Sequence, residues 1–418
     1  MQTIKVDLKA PIEYIKAFLK WVFIALIVGI AGGVAGSLFH IAIDIVTEYR
    51  TENTWVIYLL PLGGLLIAGL YACLKRLGAL DTNRILKAVK TESNVPFVIA
   101  PLIFVSTVIT HLVGGSAGRE GAALQLGGSI GYNLGKILRL NKKDLHIVVM
   151  TGMSAVFAAL FGTPLTAAIF ALEVVSVGVK YYSGLVPCMI AAIVSSQLAI
   201  LFGLHPVHFD LVQNFPLSSA MFVKVMILSL LCGLVSILFC VAIKKCEHYM
   251  SKLIPNSYLR GAIGGVLIIG LTLLSGGYDY NGAGMDIIGD AICGLARPEA
   301  FMIKIIFTAI TISAGFKGGE IVPAFFVGST FGCLAGAILG MDPGFAAAIG
   351  FVAVFCGVVN CPIASIILAL EVFGADSILM FALASSISYM MSGRFSLYKE
   401  QRIIYSKIED RFTDEETI

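Results

Sequence analysis

One stretch of the sequence combines a glycine-rich turn with an acidic residue in apolar surroundings: Gly114–Gly131, which reads GGSAGREGAALQLGGSIG. It follows Val95–Val113, an apolar run long enough to cross a bilayer. The glycines predict a break in the chain, and we expect a half-helix to begin near Gly118–Glu120. A helix N-terminus has unpaired N–H groups and carries about half a positive charge, so at membrane depth it binds an anion. Glu120 is a tethered anion beside it, which occupies the site when ionised and leaves when protonated.

The composition places this stretch in a membrane. The 418 residues are 58% hydrophobic and 13% charged, and the mean hydropathy is +0.92; a soluble domain carries about twice that charged fraction. Because backbone that faces lipid must satisfy its own hydrogen bonds, we expect an all-α polytopic protein in a lipid bilayer. A net charge of +3 does not favour a nucleic-acid partner. Nine cysteines without a CxxC motif indicate small buried side chains, with neither a disulfide framework nor a metal site.

Long apolar runs predict the membrane spans that must position this stretch, at Trp21–Val46, Trp55–Cys73, Ser183–Phe202, Phe222–Ile243, Gly261–Leu274 and Ile378–Met391. A short interfacial helix is expected at Pro11–Lys20, and Val148–Val177 is expected to form two segments broken at Gly162–Pro164. Asp81 or Thr82 is expected to cap a short helix. Polar loops are expected at Leu204–Pro216 and Gly276–Leu295, and a short charged tail from Arg394.

The second half of the sequence repeats the first. Gly152–Val175 aligns without a gap on Gly350–Phe373 with ten identities in 24 positions, and each segment contains a proline and the letters ALEV. Gly118–Gly131 falls on Gly319–Gly332 at nearly the same offset. Two homologous halves, each with a glycine-broken re-entry, are typical of transporters and channels with a site between the repeats. We therefore expect four parts: an N-terminal segment 1–20, repeats 21–216 and 217–393, and a tail 394–418.

Charge asymmetry predicts the orientation of the chain. Basic residues cluster at 16–20, 75–90, 136–143, 180, 244–260 and in the tail, whereas the loops at 204–216 and 276–295 contain almost none. Under the positive-inside rule both termini are cytoplasmic. The two repeats are then inverted if each crosses the membrane an odd number of times.

The motifs resemble those of the CLC family of chloride channels and proton-coupled anion exchangers. GREGA, at Gly118–Ala122, is similar to the family's GREGP, and GGEIVP, at Gly318–Pro323, is similar to its GxFxP. Tyr398 resembles the tyrosine that closes the family's anion site. The resemblance covers nearly the whole chain and implies two inverted repeats with re-entrant helices, a homodimer with one anion pathway per subunit, and Glu120 as the gating glutamate. The other anion-site residues that it implies are Gly118, Arg119, Gly121, Ile321 and Val322.

The departures from the family pattern resemble its fluoride-exporting branch. The GSGIP motif is replaced by DTNRI, which puts Thr82 and Asn83 near the place of the pore serine. An acid, Glu320, stands inside GxIxP, and Val174 takes the place of the inner proton-carrying glutamate. Members of this branch exchange fluoride for protons, which implies an integral protein of the bacterial cytoplasmic membrane that needs no cofactor.

Fluoride gives a physical reason for a second glutamate. The ion is small and strongly hydrated, so its site must offer N–H and O–H donors. Two glutamates beside one anion cannot both stay ionised, and a protonated carboxyl group becomes a donor. We expect Glu120 and Glu320 to couple protons to the anion, with donors from the Ile321 and Val322 amides and the Tyr398 hydroxyl.

Several alternatives remain open from the sequence. A chloride channel or chloride/proton exchanger would use the same fold, and a cation-coupled carrier of organic substrates is a third class. A membrane enzyme is disfavoured because HExxH, P-loop and GxSxG motifs are missing from the sequence. Arg119 either contacts the substrate or pairs structurally and holds the loop. Lys317 either offsets the charge of Glu320 or faces outward. Glu173 and Glu371 are expected to cap or pair at helix ends.

Overall fold

The computed structural model describes residues 9–78, 80–91, 93–211 and 218–418. Over these residues the chain forms sixteen α-helices in two sets of eight. The first set is α1 Lys9–Glu52, α2 Leu60–Cys73, α3 Thr82–Lys90, α4 Ile99–Leu112, α5 Glu120–Ile137, α6 Lys142–Phe161, α7 Pro164–Glu173 and α8 Leu185–Leu201. The second set is α9 Ser219–Leu253, α10 Ser257–Ser275, α11 Met285–Ile292, α12 Ala300–Ser313, α13 Ile321–Ile338, α14 Pro343–Val359, α15 Pro362–Phe373 and α16 Ile378–Met391. The predicted boundary between the repeats, at 216–217, lies outside the described residues.

The two sets repeat one another helix by helix. Helices α4 and α12 have 14 residues each, and α5 and α13 have 18 each. In both sets the fourth helix packs on the fifth, the fifth on the sixth, and the first on the sixth and eighth. This arrangement confirms the predicted helical fold built from two repeats.

Each repeat contains an apolar helix that is too short to cross a bilayer and ends at a glycine. A 14-residue helix is about 21 Å long, which is shorter than the bilayer core of about 30 Å. Helix α4 ends just before Gly114 (φ +89°) and α12 just before Gly315 (φ +100°), both in the left-handed region that glycine adopts without strain. The predicted breaks are therefore present in both halves, and each is followed by a new helix.

Seven helical segments among the described residues are long and apolar enough to cross a membrane. The first of them differs from the sequence expectation. Pro11–Lys20 is not a separate interfacial helix, because α1 runs without interruption for 44 residues, about 66 Å. Its polar first turns simply extend the span beyond the apolar core of the bilayer.

Two further expectations need correction. The segment Gly276–Leu295 is not only loop, because Met285–Ile292 forms α11, the counterpart of α3. The fold also contains a three-stranded sheet of β1 Ser176–Val177, β2 Arg402–Tyr405 and β3 Phe412–Glu416, with β1 parallel to β2 and β2 antiparallel to β3. The tail is thereby fixed beside the end of α7.

The apolar core lies where the two repeats meet. Phenylalanines of one repeat contact those of the other, with ring centroids 6.1 Å apart for Phe161 and Phe325 and 5.9 Å apart for Phe170 and Phe355. This packing of α6 and α7 against α13 and α14 joins the two repeats beside the helices that follow the glycine breaks.

Glu173 and Glu371, the glutamates of the repeated ALEV segments, cap helices of the opposite repeat. Glu371 accepts hydrogen bonds from the N–H groups of Leu165 (2.9 Å) and Thr166 (2.8 Å) at the start of α7. Glu173 accepts one from the N–H of Ala364 (2.8 Å) at the start of α15. These first-turn amides have no partner within their own helix, because the N–H groups of a helix's first turn point beyond its start. The expected helix-end role of both glutamates is thus what the structure shows.

Replacing Glu371 with alanine should lower the free energy of unfolding by about 1–2 kcal/mol, the usual contribution of a helix cap. The Thr166 hydroxyl, which donates to the same carboxylate at 2.6 Å, loses its partner as well. Glu48→Ala, which removes an exposed glutamate from α1, is the control. Unfolding in detergent is the measurement, and identical midpoints for the two variants would contradict the capping role.

Candidate functional site

Helices α5 and α13 begin face to face at a single pair of glycines. The Gly118 N–H donates to the Gly319 carbonyl and the Gly319 N–H donates to the Gly118 carbonyl, each at 2.7 Å. Backbones can approach so closely only because side chains are missing, since a Cβ on Gly121 would lie 3.0 Å from the Gly319 Cα. Two helix N-termini, each with about half a positive charge, therefore lie together inside the membrane.

Glu120 is enclosed at this junction, with 0% of the residue exposed. Its Oε2 accepts a hydrogen bond from the Arg119 N–H at 2.9 Å, and the backbone amide of Val322 lies next to the carboxyl group. Its Oε1 has no hydrogen-bond partner among the described residues. A Cβ on Gly118 would lie 2.4 Å from Oε2, so this glycine leaves the space that the carboxyl group fills. Glu120 thus lies where the sequence predicts a tethered anion.

The Arg119 side chain points to α1 as well as to Glu120. Its Nη1 donates to Asp44 Oδ1 at 3.2 Å, whereas its Nε is 3.9 Å from Glu120 Oε1. Asp44 also lies 3.2 Å from His40 Nε2. The guanidinium group therefore joins the start of α5 to α1, which agrees with a structural pairing role for Arg119. Asp44 was not identified from the sequence because it belongs to no motif.

A cavity of ≈ 230 Å³ lies beside the start of α13. Its walls include five residues singled out in the sequence: Thr82, Asn83, Lys317, Glu320 and Tyr398. Lys244, Glu247 and Lys399 of the basic surface also line it, so the cavity is reached from the side predicted to be cytoplasmic. Glu120 is not among the lining residues, and its carboxyl group is closed off from the cavity in this conformation.

Thr82 is held against the first turn of α5. Its hydroxyl donates to the Gly121 carbonyl at 3.4 Å and accepts from Gln125 Nε2 at 2.9 Å. Asp81 caps α3 through the Arg84 N–H at 3.0 Å, as expected. Gln125 lines the cavity and its Oε1 has no partner among the described residues. Sequence reasoning missed Gln125, although it is the one amide side chain among the small apolar residues that follow GREGA.

Asn83 and Tyr398 belong to the junction between α3 and the tail. Asn83 Oδ1 accepts from the Glu400 N–H at 3.3 Å. The Tyr398 hydroxyl is buried without a hydrogen-bond partner among the described residues, and the carboxyl groups of Glu320 and Glu120 lie in its surroundings. A buried O–H donor without a protein partner is available to an anion at this position.

The segment that carries Tyr398 is rigidly placed. The Gln401 side chain, which is fully buried, donates to the carbonyls of Val174 (2.9 Å) and Val359 (2.8 Å) and accepts from the Ser396 hydroxyl (2.7 Å). Both repeats therefore fix the tyrosine. This network was not predictable from the motifs.

Lys317 does not neutralise Glu320 directly. Among the described residues it forms no ion pair, and its ammonium group lies 4.4 Å from the centre of the Tyr71 ring. Ile321 and Val322 are buried in the first turn of α13, and the Val322 amide lies next to the Glu120 carboxyl group. Glu320 is the residue immediately before α13 and is half-buried at the cavity wall.

Two cations near α4, one fully buried and one partly buried, were not anticipated from the sequence. Lys304 on α12 is fully buried and donates to the carbonyls of Tyr280 (3.1 Å) and Gly282 (2.8 Å). Arg50 at the end of α1 is partly buried and donates to the His111 carbonyl at 2.8 Å. A fully buried ionisable residue such as Lys304 is costly and is commonly functional.

Comparison with known proteins agrees with this geometry. The profile of the voltage-gated chloride channel family matches residues 74–393. A "chloride/fluoride channel protein" of Pseudomonas syringae pv. tomato is 35% identical over 93% of this chain and 87% of its own. An "H(+)/Cl(-) exchange transporter ClcA" of Vibrio vulnificus is 26% identical over 87% of this chain and 85% of its own.

Solved structures show the same similarity. The crystal structure of a CLC-type fluoride/proton antiporter is 30% identical, with a TM-score of 0.88 over 92% of this chain and 98% of that one. A slow cyanobacterial Cl⁻/H⁺ antiporter has a TM-score of 0.75 at 19% identity, over 89% of this chain and 94% of that one. The second likeness concerns the fold alone.

Substituting Gly118 with alanine should displace the Glu120 carboxyl group, because the added Cβ would lie 2.4 Å from Oε2 and 3.0 Å from the Val322 Cβ. A structure of the variant would show the new side-chain position, and its thermal midpoint should fall. The matched control is Gly270→Ala in α10, where nothing lies within 4 Å of the added Cβ and helix propensity predicts a gain of about 1 kcal/mol. An unmoved Glu120 in Gly118→Ala would contradict the close fit.

Proposed function

The chain belongs to the voltage-gated chloride channel family, and on that premise we propose that it exports fluoride across the bacterial cytoplasmic membrane in exchange for protons. The family consists of channels and transporters. The observation that carries the choice of fluoride is the position of Glu320, an acid at the start of α13 that lines the same cavity as the unpartnered Tyr398 hydroxyl.

The anion site combines several donors. The first-turn amides of α13 supply N–H groups, and the Tyr398 hydroxyl supplies an O–H group with no competing partner. A protonated Glu320 adds a third kind of donor. Fluoride holds its hydration shell more tightly than chloride does, so it requires this larger set of donors before it enters.

Proton transfer is assigned to the two glutamates. Glu120 occupies the anion position at the α5 and α13 starts while it is ionised, and it yields the position to fluoride when it is protonated. Glu320 receives the proton on the side of the cavity, where the unpaired Gln125 Oε1 accepts a hydrogen bond from a carboxylic acid or a water molecule. Val174 is buried and apolar, and Glu173 is engaged as a cap, so neither supplies an inner proton site.

Orientation and assembly complete the proposal. With both termini in the cytoplasm, the cavity of Glu320 and Tyr398 faces the cell interior, and Arg50 at the end of α1 faces outward.

The protein forms a homodimer through α8 and α16, with an independent pathway in each subunit. Exposed residues at 186, 193 and 200 form a stripe along α8 that suits such a contact.

Fluoride should leave loaded proteoliposomes much faster than chloride. A site with sparse donors would favour the less hydrated chloride, whereas this site offers amides, a free phenol and a second acid. Ion-selective electrodes measure both fluxes on the same preparation. Equal rates for the two halides would favour a chloride channel or a chloride/proton exchanger of the same fold.

Glu120→Gln should retain fluoride movement and lose its coupling to protons, because the amide keeps the shape of the side chain but does not titrate. Fluoride efflux and proton uptake are recorded together in proteoliposomes with an imposed fluoride gradient. Uphill proton movement in this variant would rule out Glu120 as the exchanging group.

Glu320→Ala should slow fluoride efflux at least about tenfold, since a hydrogen bond from a protonated acid to a charged ion contributes about 1.5–3 kcal/mol. The control is Glu247→Ala, which removes another carboxylate of the same cavity that is paired with Lys399 at 2.9 Å. A fluoride-selective wild type with unimpaired Glu320→Ala would keep the substrate and refute this role of Glu320.

A further inference from the structure

A second cleft, of ≈ 580 Å³, lies between the C-terminal end of α2 and the N-terminal end of α10. The two helices cross at a glycine contact, where a Cβ on Gly64 would lie 2.5 Å from the Gly261 carbonyl oxygen. Beyond this crossing, Tyr71 of α2, Arg260 of α10 and Lys317 of the turn before α13 line the opening between them. The cleft therefore lies on the basic side of the protein, between two spans.

The cleft contains two cationic groups that have no ion-pair partner among the described residues. Arg260 Nη1 donates to the Ile254 carbonyl at 3.2 Å, but its Nε is buried without a partner. Lys317 places its ammonium group over the Tyr71 ring. Neither residue forms an ion pair within the part of the chain that the structure describes. The N-terminus of the 19-residue helix α10 adds about half a positive charge to the same opening.

The surroundings of the cleft are apolar and exposed. Large side chains point away from the protein along both helices, including Leu66 and Leu70 on α2 and Leu259 and Val266 on α10. These two helices are also the least buried of the seven candidate spans. A basic opening between spans with apolar walls on either side matches an anionic headgroup above its acyl chains.

We propose that this cleft binds the phosphate group of an anionic phospholipid of the cytoplasmic leaflet. The unpartnered Arg260 Nε–H and the Lys317 ammonium group donate to the phosphate oxygens, and the acyl chains lie on the exposed faces of α2 and α10. Arginine suits this role because its planar donors match the geometry of a phosphate. The lipid phosphate supplies a direct ion-pair partner for two cations that lack one among the described residues.

Native mass spectrometry of the purified protein in mixed micelles tests the proposal. Phosphatidylglycerol and zwitterionic phosphatidylcholine are titrated separately, and the number of retained lipids per protein is counted. Wild-type protein and the control Lys252→Gln, which removes an exposed lysine of the same basic side, should retain phosphatidylglycerol. Arg260→Gln should weaken this retention about tenfold, and Arg260→Lys, which keeps the charge but lacks the Nε–H donor, should restore only part of it.

Other outcomes overturn the proposal. Equal retention of the two lipids by the wild type, or undiminished retention by a folded Arg260→Gln, would remove the cleft as an anionic lipid site. Displacement of the lipid signal by millimolar inorganic phosphate, with no preference for phosphatidylglycerol over phosphatidylcholine, would assign the cleft to a free anion. If Arg260→Gln does not fold, Lys317→Gln gives the same comparison, because it removes the second cation without touching the Ile254 contact.

Discussion

The structure depends on the requirement that backbone groups inside a membrane find partners. Two helices too short to cross the bilayer end at glycines, and each is followed by a new helix whose first amides have nothing to bind within it. The reciprocal hydrogen bonds between Gly118 and Gly319 join these two interruptions just before the new helices begin. The amides of Arg119 and Val322 lie at the Glu120 carboxyl group, so the cost of breaking a helix becomes the attraction for an anion. The glycines at 118, 121 and 319, the enclosed position of Glu120 and the contact between repeats all follow from that junction.

A symmetric scaffold here carries an asymmetric site. With Gly118 superimposed on Gly319, Arg119 falls on Glu320 and Glu120 falls on Ile321. The start of α5 thus presents an arginine followed by a glutamate, and the start of α13 presents a glutamate followed by an isoleucine. The base is directed to Asp44 on α1, whereas the second acid faces the cavity that Tyr398 lines. Exchange of two different ions through one position requires such a difference, because two identical half-sites would titrate alike.

The sequence was sufficient for features that depend on local chemistry. The glycine breaks, the proline starts of α7 and α15, the Asp81 cap and the pairing of the two repeats follow from residue types and spacing. Features that depend on distant contacts were not predictable. Gln125 is recognisable as part of the site only when α3 lies against it, and Asp44 only when α1 passes Arg119. The small sheet was missed because β1 has two residues and its partner strand lies more than 200 positions away.

The exchange of caps between the repeats has a consequence for biosynthesis. The amides at the start of α7 are capped by Glu371, which lies 206 residues further along the chain than Leu165. At about 5–20 residues per second, the ribosome needs about 10–40 s to supply it. During that interval the first repeat sits in the membrane with α7 uncapped, and Glu173 lacks the α15 amides that it caps. A nascent chain released before Glu371 would therefore keep the start of α7 without its cap.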